Sequence, residues 1–152
     1  MIEIKPLWKN HPLYKQDKIE LVPTSWVWKY RGKDVLPTAD LKDGSMVNIE
    51  KLWKNICEEG LYDPFVIRIG LKNKKFRLEA GNHRIQVFYK NKIPMIPVTV
   101  QVKEYCGPKA ENLMTIATHN FDAKDEFLIS EITDEYMRPT QIFKSLSAKN
   151  QF

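Results

Sequence analysis

Apolar positions recur along this chain with two different periods, and the switch between them marks its elements. Ile49, Leu52, Trp53 and Ile56 follow an i, i+3, i+4, i+7 spacing, which predicts a helix from Asn48 to Glu59. Asn48 or Ser45 can cap its start, and Gly60 stands where a C′ glycine ends a helix. Pro64 blocks any continuation, and Phe65 to Ile69 (FVIRI) reads as a buried strand. After a turn over 70–74, Phe76 and Leu78 alternate with Arg77 and Glu79, giving a second strand that forms a hairpin with the first. The period then returns to helical from Asn82 to Asn91, with Ile85, Phe88 and Tyr89 as the inner face and Asn82 as the N-cap. Val98, Val100 and Val102 restore alternation. Pro94 and Pro97 bracket the entry to this strand, which therefore starts at a sheet edge or pairs fully only from Val98.

The flanks are less regular. Ile19 to Trp28 (IELVPTSWVW) is rich in β-branched and aromatic residues and reads as a strand interrupted by Pro23. Lys29 to Ser45 has loop chemistry over an unusual length, a feature of functional loops. Residues 1–18 form an irregular N-terminal arm, with a short strand at Ile2–Ile4 and its aromatics packed onto the domain. Past Cys106-Gly107-Pro108, helices are expected at Lys109–Asn120 and Ala123–Met137, then a short one capped by Thr140 and running through Leu146. His119-Asn120, with Asp122, then falls in an exposed loop. This gives an α+β chain in three parts: the arm 1–18, a domain at 19–106, and a helical C-terminal extension at 107–152 packed on it.

Composition narrows the class. The chain has 152 residues, 43% hydrophobic and 28% charged, as in ordinary soluble domains. No apolar run approaches the roughly 20 residues of a membrane span. The charged N-terminus lacks the apolar stretch of a secretory signal. Cys57 and Cys106 form no CxxC pair, and Cys57 falls on an apolar helix face. Together these suit a reducing cytoplasm. A net charge of +5 favours anionic partners such as nucleotides or nucleic acid. No His, Cys, Asp and Glu spacing suggests a metal site, and there is neither a Ser-His-Asp arrangement nor a Walker loop. The four tryptophans, Trp8, Trp26, Trp28 and Trp53, read as core and arm anchors. Lys72, Lys74, Lys75 and Arg77 read as a solvated basic turn.

Candidate chemistry concentrates at Gly81, Asn82, His83 and Arg84, where strand gives way to helix. A helix start leaves N–H groups unpaired and carries partial positive charge, so it suits an anion. Arg84 adds a forked set of donors matched to phosphate, and His83 a group able to carry a proton near neutral pH. On the residues alone, a plain strand–helix turn with a capping Asn and surface charges is the simpler reading.

A wider pattern resembles the ParB/sulfiredoxin superfamily, including ParB-like nuclease domains, from Ile19 to Val102. The join EEGLYDPFVIRI is similar to the family's glycine-leucine to proline-valine join. AGNHR is similar to its GxxR or GxHR box, and KIPMIPVTV to its proline-led strand. The resemblance implies a small mixed sheet with packed helices, and a nucleotide or phosphate site at the box. Gly81 would be the turn glycine, with Asn82, His83 and Arg84 as phosphate-binding residues; the family's arginine after the first strand corresponds to Arg31. A nucleotide such as CTP or ATP, with magnesium, is the implied cofactor, and His83 and Arg84 the implied catalytic pair.

Two departures matter. Sulfiredoxins place a reactive cysteine where this chain has Asn82, and an amide cannot replace a thiolate. The family's serine kinases have an aspartate where this chain has Ala80, and alternation turns Glu79 to the opposite face. Ala110-Glu-Asn-Leu-Met114 is similar only in part to the motif with which partition proteins close their nucleotide site, and about 50 residues after Val102 are too few for their further regions. The expected function is nucleotide or phosphate binding, with hydrolysis of a nucleotide or phosphodiester as its reaction. The alternative is a non-catalytic DNA-binding or regulatory adaptor of a mobile element. A small-molecule or protein kinase ranks third.

Overall fold

The computed structural model describes residues 3–31, 49–72, 75–106, 119–120 and 134–142. In chain order these form a 3-10 turn at Leu7–Asn10, helix α1 (Pro12–Lys15), strand β1 (Glu20–Pro23) and helices α2 (Thr24–Trp28) and α3 (Ile49–Glu59). Strands β2 (Phe65–Gly70) and β3 (Lys75–Ala80), helix α4 (Asn82–Lys90) and strand β4 (Met95–Lys103) follow. Two-residue strands β5 (His119–Asn120) and β6 (Tyr136–Met137) come last. The architecture is α+β, with one mixed sheet ordered β1-β4-β2-β3-β5 and β6 added to β4.

β4 organises that sheet by changing partners along its length. Met95 to Val98 pair antiparallel with β1, and the parallel ladder to β2 begins at Phe65↔Val98. Pro97 has no N–H to give, so the β2 ladder starts one residue beyond it. The expected onset at Val98 therefore holds towards β2, but β4 is interior and not an edge. Beyond Val98, where β1 has ended, β6 takes the vacant side at Val100↔Met137 and Gln101↔Tyr136. The β2–β3 hairpin is antiparallel, as the short connection between the two strands requires.

One face of the sheet carries the core. Phe65, Ile67 and Ile69 of β2, Phe76 and Leu78 of β3, and Val98 and Val100 of β4 are buried. Helices pack over them through aromatic edges: Phe88 of α4 meets Phe65 at 5.5 Å and Trp53 of α3 at 5.7 Å between ring centres. Each such side chain withdrawn from water contributes roughly 1.5–3 kcal/mol. The other face is polar. Arg68 donates to Gln101 (3.0 Å) and pairs with Glu79 (3.2 Å), Arg77 pairs with the same Glu79 (3.0 Å), and Gln101 donates to the Tyr136 hydroxyl (3.0 Å). Glu79 thus points away from the Ala80 side, as alternation predicts.

Several expectations need correction. Ile19–Trp28 is not one strand: Pro23 ends β1, and α2 follows. A strand would send Trp26 and Val27 to opposite faces, whereas a helical turn buries both, with Thr24, against α4. On α4 the inner face is Ile85, Val87 and Phe88, while Tyr89 is 45% exposed. Tyr136–Met137 is strand and not helix. The four-residue spacing that suggested a helix loses to the open side of β4, where the Val102 N–H also bonds Glu135 (2.6 Å). His119–Asn120 pairs with β3 instead of lying in a loop. Residues 139–142 form a helical turn that begins one residue before Thr140. The expected loop from position 32, the caps at 45 and 48, and the rest of the predicted C-terminal helices lie outside the described residues.

The arm is joined to the domain by backbone. No strand forms at 3–6, but Trp8 is buried, its N–H bonds the Leu61 carbonyl (2.8 Å), and the Leu61 N–H bonds Lys5 (3.0 Å). Gly60 makes this approach feasible. It ends α3 at φ +98°, and a Cβ there would stand 2.9 Å from the Lys5 carbonyl oxygen.

Candidate functional site

β3 runs directly into α4 through Gly81, which sits in the left-handed region at φ 109°. Two separate constraints demand glycine there. The positive φ disfavours any Cβ, and an added Cβ would clash with the Phe65 ring. Gly81, not Asn82, is the helix N-cap, and Asn82 is the first helical residue. The local preference of Asn for the cap yields to the turn that brings β3 onto Phe65.

The first helical hydrogen bond runs from the Ile85 N–H to the Gly81 carbonyl at 2.7 Å. The N–H groups of Asn82, His83 and Arg84 precede it, and glycine supplies no side-chain cap. The start of α4 is therefore uncapped, unlike the Asn82-capped start expected from the sequence, and it carries the partial positive charge of any helix start.

Arg84 folds back beneath that start. Its Nη1 donates to the Asp63 carbonyl (2.6 Å) and its Nη2 to the Pro64 carbonyl (3.3 Å). The guanidinium lies 4.5 Å from the centre of the Phe65 ring, and its Nη2 is 3.3 Å from where a Gly81 Cβ would be. Burial lowers its pKa from the ordinary arginine value, with the Asp63 charge opposing. An arginine still keeps its proton, so a cation stands under the first turn of α4. Two of its five N–H donors serve the backbone. Arg84 thereby ties α4 to the segment leading into β2 while adding charge to the helix start.

His83 lies in the same turn, partly exposed, and its side chain makes no hydrogen bond among the described residues. Arg31 is elsewhere. Its Nη1 donates to the Trp28 carbonyl (2.8 Å) and its guanidinium lies 3.7 Å from the Trp28 ring centre. The structure therefore groups Gly81, His83 and Arg84, and sets Arg31 against α2.

Sequence reasoning missed Asp63, Pro64 and Phe65 as parts of this arrangement. Pro64 was legible only as a helix stop and Phe65 only as a core residue. Nothing local signals that their carbonyls and ring face Arg84. Of the basic turn, Lys72 pairs with Glu104 (3.5 Å) and Arg77 with Glu79, while Lys74 lies outside the described residues. His11, without evident context in the sequence, accepts the Leu13 N–H on Nδ1 (3.1 Å) and so caps α1.

Among the described residues, no three of His, Cys, Asp and Glu come together to hold a metal ion. No described helix is long and apolar enough to cross a membrane. A cavity of roughly 610 Å³ lies between the arm and the α4–β4 connection, bordered by Trp8, Leu61, Phe88 and Met95, and away from Gly81. No family model matches this chain, and neither a curated protein nor a solved structure matches it.

Proposed function

We propose that this chain is a nucleotide- or phosphate-binding protein with a ParB/sulfiredoxin-like arrangement, holding the phosphate at the start of α4. The observation that carries this reading is the pairing of an uncapped helix start with the Arg84 guanidinium directly beneath it. A phosphate there accepts the N–H groups of the first turn, and the buried cation raises the local potential. His83 is positioned by sequence to carry a proton in hydrolysis of a nucleotide or phosphodiester. Arg84, held on two carbonyls, acts mainly through its charge.

Titration of the chain with CTP, ATP, ADP and inorganic phosphate, with and without magnesium, tests this by amide chemical shifts. The expected result is saturable movement centred on Asn82, His83 and Arg84. If those amides stay still with every ligand, the reading is lost. Loss of turnover in His83→Ala, with binding retained, would assign the proton carrier. Salt-sensitive DNA binding without turnover would favour the adaptor alternative instead.

A further inference from the structure

A different set of groups converges at the far end of α4. Tyr89 stacks on Trp28 with ring centres 4.2 Å apart and planes within 10°. Arg31 lies 3.7 Å from the centre of the same indole. Both cannot occupy one face at those separations, so the order is Arg31, Trp28, Tyr89. The stack fixes the orientation of a tyrosine that remains 45% exposed. Tyr89 also borders a cavity of roughly 470 Å³, together with Thr24, Ser25, Lys92, Ile93 and Pro94.

Two of those residues are held in ways that folding alone does not favour. Thr24 is 3% exposed, and its Oγ1 is buried with no hydrogen-bond partner among the described residues. Buried hydroxyls are nearly always paired, but this one exposes almost no surface, so the hydroxyl open to a ligand at the cavity is that of the exposed Ser25. Lys92 occupies the left-handed region at φ 57°. It is the C′ residue of α4: its N–H bonds Tyr89 (3.1 Å), and the next N–H, from Ile93, bonds Phe88 (3.0 Å). Glycine or asparagine is the usual occupant of that position. A lysine there puts a cation at the cavity against the backbone's preference.

We propose that this cavity binds one nucleotide unit, its base stacked on Tyr89, its phosphate paired with Lys92, and Ser25 bonded to base or sugar. A ring backed by a second ring and a cation presents a flat, pre-set surface, and stacking on such a surface tolerates any base. Lys29 and Lys90, each adjacent in sequence to a member of the stack, are exposed and extend the positive surface. The unit is either a free nucleotide or one residue of a single strand. This site lies at the opposite end of α4 from Gly81 and does not depend on the reading given for that turn.

The test follows the Trp28 indole and the Tyr89 and Lys92 amides of the full chain by NMR. Adenosine monophosphate, a short single-stranded oligothymidylate and ribose 5-phosphate are the probes. Saturable shifts at these positions are expected with the mononucleotide if the source is a free nucleotide, and with the oligonucleotide alone if it is a strand. Tyr89→Leu should weaken binding about fivefold or more. Lys92→Gly should weaken it about threefold to tenfold while the fold is kept, since glycine accepts this backbone. The proposal is overturned if neither base-bearing probe moves Trp28, if ribose 5-phosphate binds as tightly, or if Tyr89→Leu binds unchanged. Shifts confined to Gly81–Arg84 would also overturn it while supporting the other site.

Discussion

The Arg84 guanidinium reaches back across the helix start to the carbonyl of Asp63, 2.6 Å away, and so locks α4 onto the entrance of β2. Without it, the Asp63 and Pro64 carbonyls would lose charged donors, and Phe65 the cation above its ring. Arg84→Ala is expected to destabilise the chain by about 2–4 kcal/mol in urea unfolding. Arg84→Lys should recover only part of this, because an ammonium cannot span both carbonyls as the fork does. Equal stability of the wild type and the alanine variant would contradict the clamp.

Gly81 allows a sharper comparison. Gly81→Ala must accept both a positive φ and a clash with the Phe65 ring, for an expected loss of about 2 kcal/mol or more. Phe65→Val removes every atom beyond the γ position and relieves the clash but not the φ. In the double variant the alanine should therefore cost less than it does alone, by about 1 kcal/mol. Additivity in that cycle would show that the ring is not what restricts position 81.

The elements on either side of this turn were legible in the chain because apolar period and punctuation agree there. Gly60, Pro64 and Gly81 stand where helix and strand change over, and Ile49–Ile56 and Phe76–Leu78 keep strict spacing between them. Agreement fails at Thr24–Trp28, where β-prone aromatics form a helix because burying Trp26 and Val27 together is worth more than local preference. It fails again at Tyr136, whose helical spacing is overruled by an unpaired stretch of β4. Arg84 shows the same limit within the site. Its chemistry is readable from residue type, but its partners are 20 and 21 residues away and meet it only after β2 and α4 close.

Cys106 should give the chain a pH dependence on the alkaline side. Burial, the largest cause, pushes its thiol up from 9.0 to about 12, while Arg77 and Arg68 pull the other way. The unfolded chain loses this proton near pH 9, whereas the folded chain keeps it. Stability from this group is therefore complete below about pH 9 and declines as the pH rises towards 12. Each pH unit in that window removes up to about 1.4 kcal/mol. Cys106→Ala should flatten the decline seen by urea unfolding. In the native chain at neutral pH, a thiol reagent should modify the partly exposed Cys57 first and reach the buried Cys106 only on unfolding. Immediate modification of both would contradict this burial.

Glu20 and Thr140, 120 residues apart, make a long-range link whose disruption can be followed directly. The Thr140 N–H donates to one carboxylate oxygen of Glu20 (2.9 Å) and its hydroxyl to the other (2.7 Å). β1 is thereby fastened to the helical turn at 139–142, next to β6. Lys18 and Asp134, at 3.1 Å, add an exposed ion pair worth little by itself. Glu20→Ala removes both acceptors and leaves two donors at a partly buried position, an expected loss of about 1–3 kcal/mol. The β6 pairing to β4 is only two residues long, so it should open before the central sheet does. Limited proteolysis of Glu20→Ala should therefore cut within 134–142 well before it cuts β2–β4, and faster there than in the wild type. An unchanged cleavage pattern would mean that β6 and the turn at 139–142 are held without this carboxylate.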